Sequence, residues 1–156
     1  MLLELFKYNW QVREEWFKWC EEITYEELVK QRVGGMGSIL HTLFHVIYCE
    51  QLWINQICGN PKNEQSIESI KNLQDIQEYS SIIKNSTSNY LNEYLKEKTE
   101  GSLFIILQNG ETKEFPHKKI LYHIITHEVH HIGQLSIWAR ELGKVPINSD
   151  LLIREL

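Results

Sequence analysis

The sequence predicts an all-α fold, a four-helix bundle with one small β-hairpin before the last long helix, and three observations lead there. Apolar residues recur at three- and four-residue intervals through four long stretches. Gly34, Gly35, Gly37, Gly59, Pro61, Gly101 and Gly143 fall between those stretches, where breakers belong. One segment, LFIILQNGETKEF at 103–115, abandons the helical rhythm for a β-branched run, an Asn-Gly pair and renewed alternation. The 156 residues suit a single domain spanning 1–156, long enough to bury roughly 70% of the surface that the unfolded chain exposes.

Each element follows from local chemistry. Leu2, Leu5, Phe6, Val12, Trp16, Trp19, Cys20 and Ile23 mark one face of a first helix. Thr24 with Glu27 three residues later is a capping-box pattern, so a short helical turn precedes the glycine-rich break. Ser38 is the expected N-cap of the second long helix, which carries Leu40, Leu43, Phe44, Ile47, Leu52, Trp53 and Ile57 until Gly59, Asn60 and Pro61 stop it. Leu73, Ile76, Ile83, Tyr90, Leu91, Tyr94 and Leu95 define a third, with a very polar outer face, ending near the Lys/Glu-rich segment before Gly101. Asn109-Gly110 turns the hairpin. Pro116 leads into the last long helix, where Ile120, Ile124, His127, His131, Leu135 and Trp138 share a stripe, and Gly143 ends it before an extended tail. The five tryptophans are expected in the core.

Composition narrows the function classes. The chain is 42% hydrophobic and 24% charged with net charge −5, and no Lys/Arg block could neutralise a run of phosphates, which disfavours nucleic acid. The most apolar stretch, 39–58, is interrupted by His41, His45, Glu50, Gln51, Asn55 and Gln56, so no membrane span is expected. The N-terminal residues read as helix rather than signal peptide. Three cysteines without C-x-x-C spacing suit a reducing compartment, and a cytoplasmic location is expected.

The chemistry concentrates in the histidines. His127 and His131 stand one helical turn apart, about 40° and ~6 Å from each other, and can aim at one ion. They lie on the apolar stripe, where an unpartnered imidazole costs about 1–3 kcal/mol that a metal would remove. Carbonyls or carboxylates could satisfy the pair equally, so a third ligand decides. His45, among Leu43, Phe44, Val46 and Ile47, is the first candidate and His41 the second. Three neutral imidazoles suit zinc, nickel or another late divalent ion and leave a position for water or substrate. Such an ion could activate a water or a substrate thiol. Cys49, one turn beyond His45, is either a fourth ligand or a small core residue. Gln134 could hydrogen-bond a ligand or make an interhelical bond. His130 points about 100° from His131, and His117 and His123 are expected to be structural or exposed.

HEVHH also fits the H-E-x-x-H pattern, in which Glu128 would be the general base of a zinc peptidase. The longer metzincin pattern fails, because Gln134 and Ile137 stand where Gly and His are required.

The mid-helix histidine in SILHTLFHVIYCEQLWI, the Asn-Gly hairpin and HEVHHIGQL on the last long helix together resemble the DinB/YfiT family of small bacterial four-helix-bundle proteins, over nearly the whole chain. The resemblance implies a divalent-metal site with one histidine from the second helix and two from the last, here His45, His127 and His131. Glu50, Trp53, Gly133 and Gln134 also match the family's motifs. Ile132 departs, since many members carry Arg there, and no anion contact from that Arg carries over. The resemblance further implies homodimers and a small-molecule substrate. Relatives include S-transferases using low-molecular-weight thiols such as bacillithiol or mycothiol, and suspected metal-dependent hydrolases. The leading expectation is a zinc- or nickel-dependent thiol S-transferase or hydrolase; the alternative is a noncatalytic bundle stabilised by its metal or histidines.

Overall fold

The structure, a computed structural model, describes residues 1–156 other than 61, 63, 64, 98 and 99. Helices α1 (Leu2–Cys20), α2 (Tyr25–Val29), α3 (Ile39–Ile57) and α4 (Leu73–Glu97) precede strands β1 (Ser102–Ile106) and β2 (Thr112–Pro116), and α5 (His117–Glu141) follows. The expected helices and hairpin are all present. Thr24 and Ser38 cap as anticipated, accepting from the backbone N–H of Glu27 and of His41. α1 stops three residues before Ile23, which lies in the turn leading to α2. Pro61, expected to help stop α3, lies outside the described residues, as do Lys98 and Thr99 of the segment after α4. No helix among the described residues is long and apolar enough to cross a membrane.

α3 packs against α4 and α5, and α1 against the same two, so α1 and α3 occupy opposite corners of the bundle. Two apolar clusters fill it. One gathers Val12, Trp16, Leu43, Ile47, Ile76, Leu135 and Trp138; the other gathers Phe6, Trp10, Ile54, Leu91, Leu121 and Ile124. Each fully buried large side chain contributes about 1.5–3 kcal/mol. Trp10, Trp16 and Trp138 are buried as expected, but Trp19 and Trp53 are only partly covered. The Trp19 indole donates to the carbonyl of Val145 at 2.9 Å, which places it under the C-terminal tail rather than inside the core.

Between the clusters runs a buried polar layer. The Arg13 guanidinium donates from Nε to Glu128 Oε1 at 2.8 Å, and from Nη2 to Glu128 Oε2 at 2.5 Å and Glu50 Oε2 at 2.6 Å. Its Nη1 donates to Ser80 Oγ at 3.3 Å, so one side chain joins all four long helices. Trp10 Nε1 donates to Glu50 Oε1 and Asn9 Nδ2 to Glu128 Oε2. Burial by itself works against the Arg13 charge, but the attraction of Glu128 and then Glu50 outweighs it, holding the guanidinium protonated more firmly than in water.

The hairpin is antiparallel, with Phe104 opposite Glu114 and Ile106 opposite Thr112. The turn is longer than the Asn109-Gly110 pair alone. The Gly110 N–H donates to Leu107 O at 2.9 Å, the Leu107 N–H donates to Glu111 O at 2.8 Å, and Gly110 adopts φ +80°. β1 lies against α3 and β2 against α5. The tail is anchored rather than free: Tyr8 donates to Ser149 O at 2.6 Å, and Arg154 pairs with Glu15 on α1.

Candidate metal centre

α3 presents His45 and α5 presents His127 and His131 to the groove between them, and one ligand atom from each ring lies within 4.8 Å of the other two. Ring centroids are 4.9 Å apart for His45 and His127, 4.7 Å for His45 and His131, and 4.6 Å for His127 and His131. The Nε2 atoms of His45 and His127 are 3.2 Å apart. That spacing suits one imidazole N–H donating to the other, and it equally suits two ligands of a tetrahedral zinc, whose nitrogens stand about 3.3 Å apart for bonds near 2.05 Å.

The donor chemistry fits a divalent cation. Burial, reinforced by the neighbouring histidines, lowers both His45 and His127 to about 4, so their rings are neutral near pH 7. Gln134 Oε1 lies 2.9 Å from His131 Nδ1; with the proton on Nδ1, that bond fixes the ring and leaves Nε2 as the free donor. Gln134 is itself held closely. Gly35 has φ +52°, and a Cβ there would fall 2.7 Å from Gln134 Oε1 and 2.9 Å from the Trp138 ring. The glycine-rich loop therefore packs directly on the residue that orients His131.

Of the other sequence candidates, Cys49 stands beside the cluster, with Sγ 3.7 Å from His45 Nε2 and 4.0 Å from His127 Nε2. Burial pushes its thiol up to about 11, so without a cation nearby it stays protonated at neutral pH. His41 lies in the first turn of α3 and is not among the three converging rings. His130 is not among them either; its Nε2 lies 3.4 Å from Gln134 Nε2. His123 is exposed and His117 stacks closely under Gly101 at the root of the hairpin.

Glu128 overturns the peptidase reading. A general base must reach the ion's water, yet Glu128 is turned into the core, 2% exposed, and is held by Arg13 and Asn9. One residue along a helix is a rotation of about 100°, enough to put His127 in the groove and Glu128 in the centre. Arg13 itself was missed in the sequence, although its place between Trp10 and Trp16 on an apolar face was a signal of burial.

A helical bundle with three histidines converging between its second and last long helices, beside a short hairpin, defines the class of protein. Residues 1–155 match the DinB family, and the chain belongs to that family. It is 37% identical, over 155 residues, to the uncharacterized protein YizA of Bacillus subtilis (strain 168), an alignment covering 99% of this chain and 96% of that protein.

Proposed function

We propose that this DinB-family chain is a metal-dependent enzyme acting on a small molecule, a thiol S-transferase or a hydrolase, with zinc or nickel held by His45, His127 and His131. The convergence of the three ligand atoms within 4.8 Å carries the reading. A divalent ion with three imidazole ligands keeps a vacant position and, as a Lewis acid, activates a thiol or water there. His45 and His127 supply neutral donors, Gln134 orients His131, and Cys49 forms the adjoining wall. A purely structural metal is disfavoured by the packing. Arg13 and the two apolar clusters already tie the four long helices together, while His45 and His127 are only half-buried.

A zinc or nickel titration tests the site: stoichiometric binding is expected for the wild type and loss of it for the His127→Ala/His131→Ala double variant. Full stoichiometric binding by that variant would remove the basis of the proposal. Thermal melts before and after chelation, beside a screen for metal-dependent transfer from low-molecular-weight thiols, separate enzyme from scaffold. A large destabilisation on chelation, with no turnover under any thiol, assigns the metal a structural role instead.

A further inference from the structure

The groove continues past the histidines. On α3 the face bearing His45 and Cys49 reaches Trp53 one turn later, and on α5 the face bearing His131 and His127 reaches His123 one turn earlier. These extensions meet: Trp53 and His123 stand edge to face with ring centroids 5.8 Å apart, and His123 lies 5.5 Å from His127. Beyond them the hairpin roofs the groove and leaves a cavity of about 280 Å³. Ile105, Leu107 and Phe115 come from the hairpin, and Trp53 and Ile120 from the helices. Strand alternation explains the roof, since Phe104 and Ile106 face solvent while Ile105 between them turns inward.

We propose that this cavity receives the apolar ring of a small organic anion. The identification of that anion as the substrate rests on the metal-centre reading above; its binding does not. The volume, at the small end of ligand sites, admits a single ring or a short alkyl chain. Walls built mostly from aliphatic and aromatic side chains offer few partners to a sugar or a nucleobase, most of whose polar groups would be buried unpaired. The polar groups of the lining are Lys119 and His123. The Lys119 ammonium lies 5.4 Å from the centre of the Phe115 ring, which forms part of the same wall. On a chain of net charge −5 the cavity thus carries a cation in its lining, Lys119, where a carboxylate or similar group on the ligand would meet it.

4-Fluorophenylacetate followed by ¹⁹F NMR is a direct probe, with metal-free and cobalt(II)-loaded protein compared. Saturable binding to both forms is expected, with added paramagnetic relaxation from cobalt. Binding should be lost in Ile105→Trp and Leu107→Trp, which fill the cavity, and weakened about threefold in Lys119→Gln, an exposed charge. Should the filled variants misfold, 4-fluorophenethylamine, with the same ring and the opposite charge, must bind more weakly than the anion to the wild type. No saturable binding by the wild type, unchanged binding in well-folded filled variants, or equal affinity for the cationic analogue would overturn the proposal. Probe binding by a protein that takes up no cobalt supports the cavity and counts against the metal-centre reading alone.

Discussion

Cys49 and Glu50 are neighbours on α3, His127 and Glu128 are neighbours on α5, and each pair faces two ways. The carboxylates turn to the dry centre, where the side chains of Arg13, Glu50 and Glu128 are 1%, 1% and 3% exposed. The thiol and the imidazole turn to the groove and remain half-covered. In the centre the Arg13 donors meet carboxylate oxygens from two helices and a hydroxyl from a third. In the groove one ligand atom from each of His45, His127 and His131 lies within 4.8 Å of the other two. The same two helices therefore supply a closed set of charges that fixes the bundle and an open set of donors that could hold a cation.

The sharpest way to break this comparison is to remove one member of the closed set. Arg13→Met leaves two carboxyl groups buried without their cation and is expected to cost about 3–5 kcal/mol in urea unfolding. A loss under about 1 kcal/mol would mean that the layer is not dry. Replacing the whole set, as Arg13→Met/Glu50→Leu/Glu128→Leu, should recover most of that loss, because well-packed apolar residues substitute for buried ion groups at little net cost.

The two regions were unequally legible in the sequence, for a physical reason. Helical periodicity and the Ser38 and Thr24 caps are local, and so is the hairpin signal at Asn109-Gly110; all three appear in the structure. The histidine pair was legible because a spacing of four on an apolar stripe is a local fact with one geometric consequence. Arg13 was not, because its partners lie 37, 67 and 115 residues away on other helices, and no local pattern names them. Glu128 was misleading for the same reason: the letters HEVHH give spacing but not the direction in which the bundle turns each side chain. Trp53, expected in the core, instead forms part of a cavity wall, a distinction that depends on where the hairpin settles.

Gln134 tests the open set without changing any of its three histidines. Gln134→Leu removes the acceptor that fixes His131 Nδ1 and should weaken zinc or nickel binding about 10–100-fold. Because Gln134 is only partly buried, its effect on unfolding should stay within about 1 kcal/mol. Isothermal titration and urea unfolding of the same sample measure both, and unchanged affinity would show that His131 is oriented by its packing alone.

The smallest expected effect is the response of the metal-free protein to acid, and its sign follows from the groove. His45 and His127 are lowered to about 4 in the folded state, against an ordinary value near 6.5 in the unfolded chain. Between those limits the unfolded chain binds more protons, so stability rises with pH. The contribution is present above about pH 6.5 and lost as pH falls toward 4. Because both rings are half-covered, solvent screens the effect and keeps it modest. Melting temperatures of the metal-free wild type and of His45→Asn/His127→Asn, each at pH 7 and pH 5, isolate it: the wild type should lose more on acidification than the variant. Equal losses would mean that the rings reach water freely and that the groove is more open than the closed layer behind it requires.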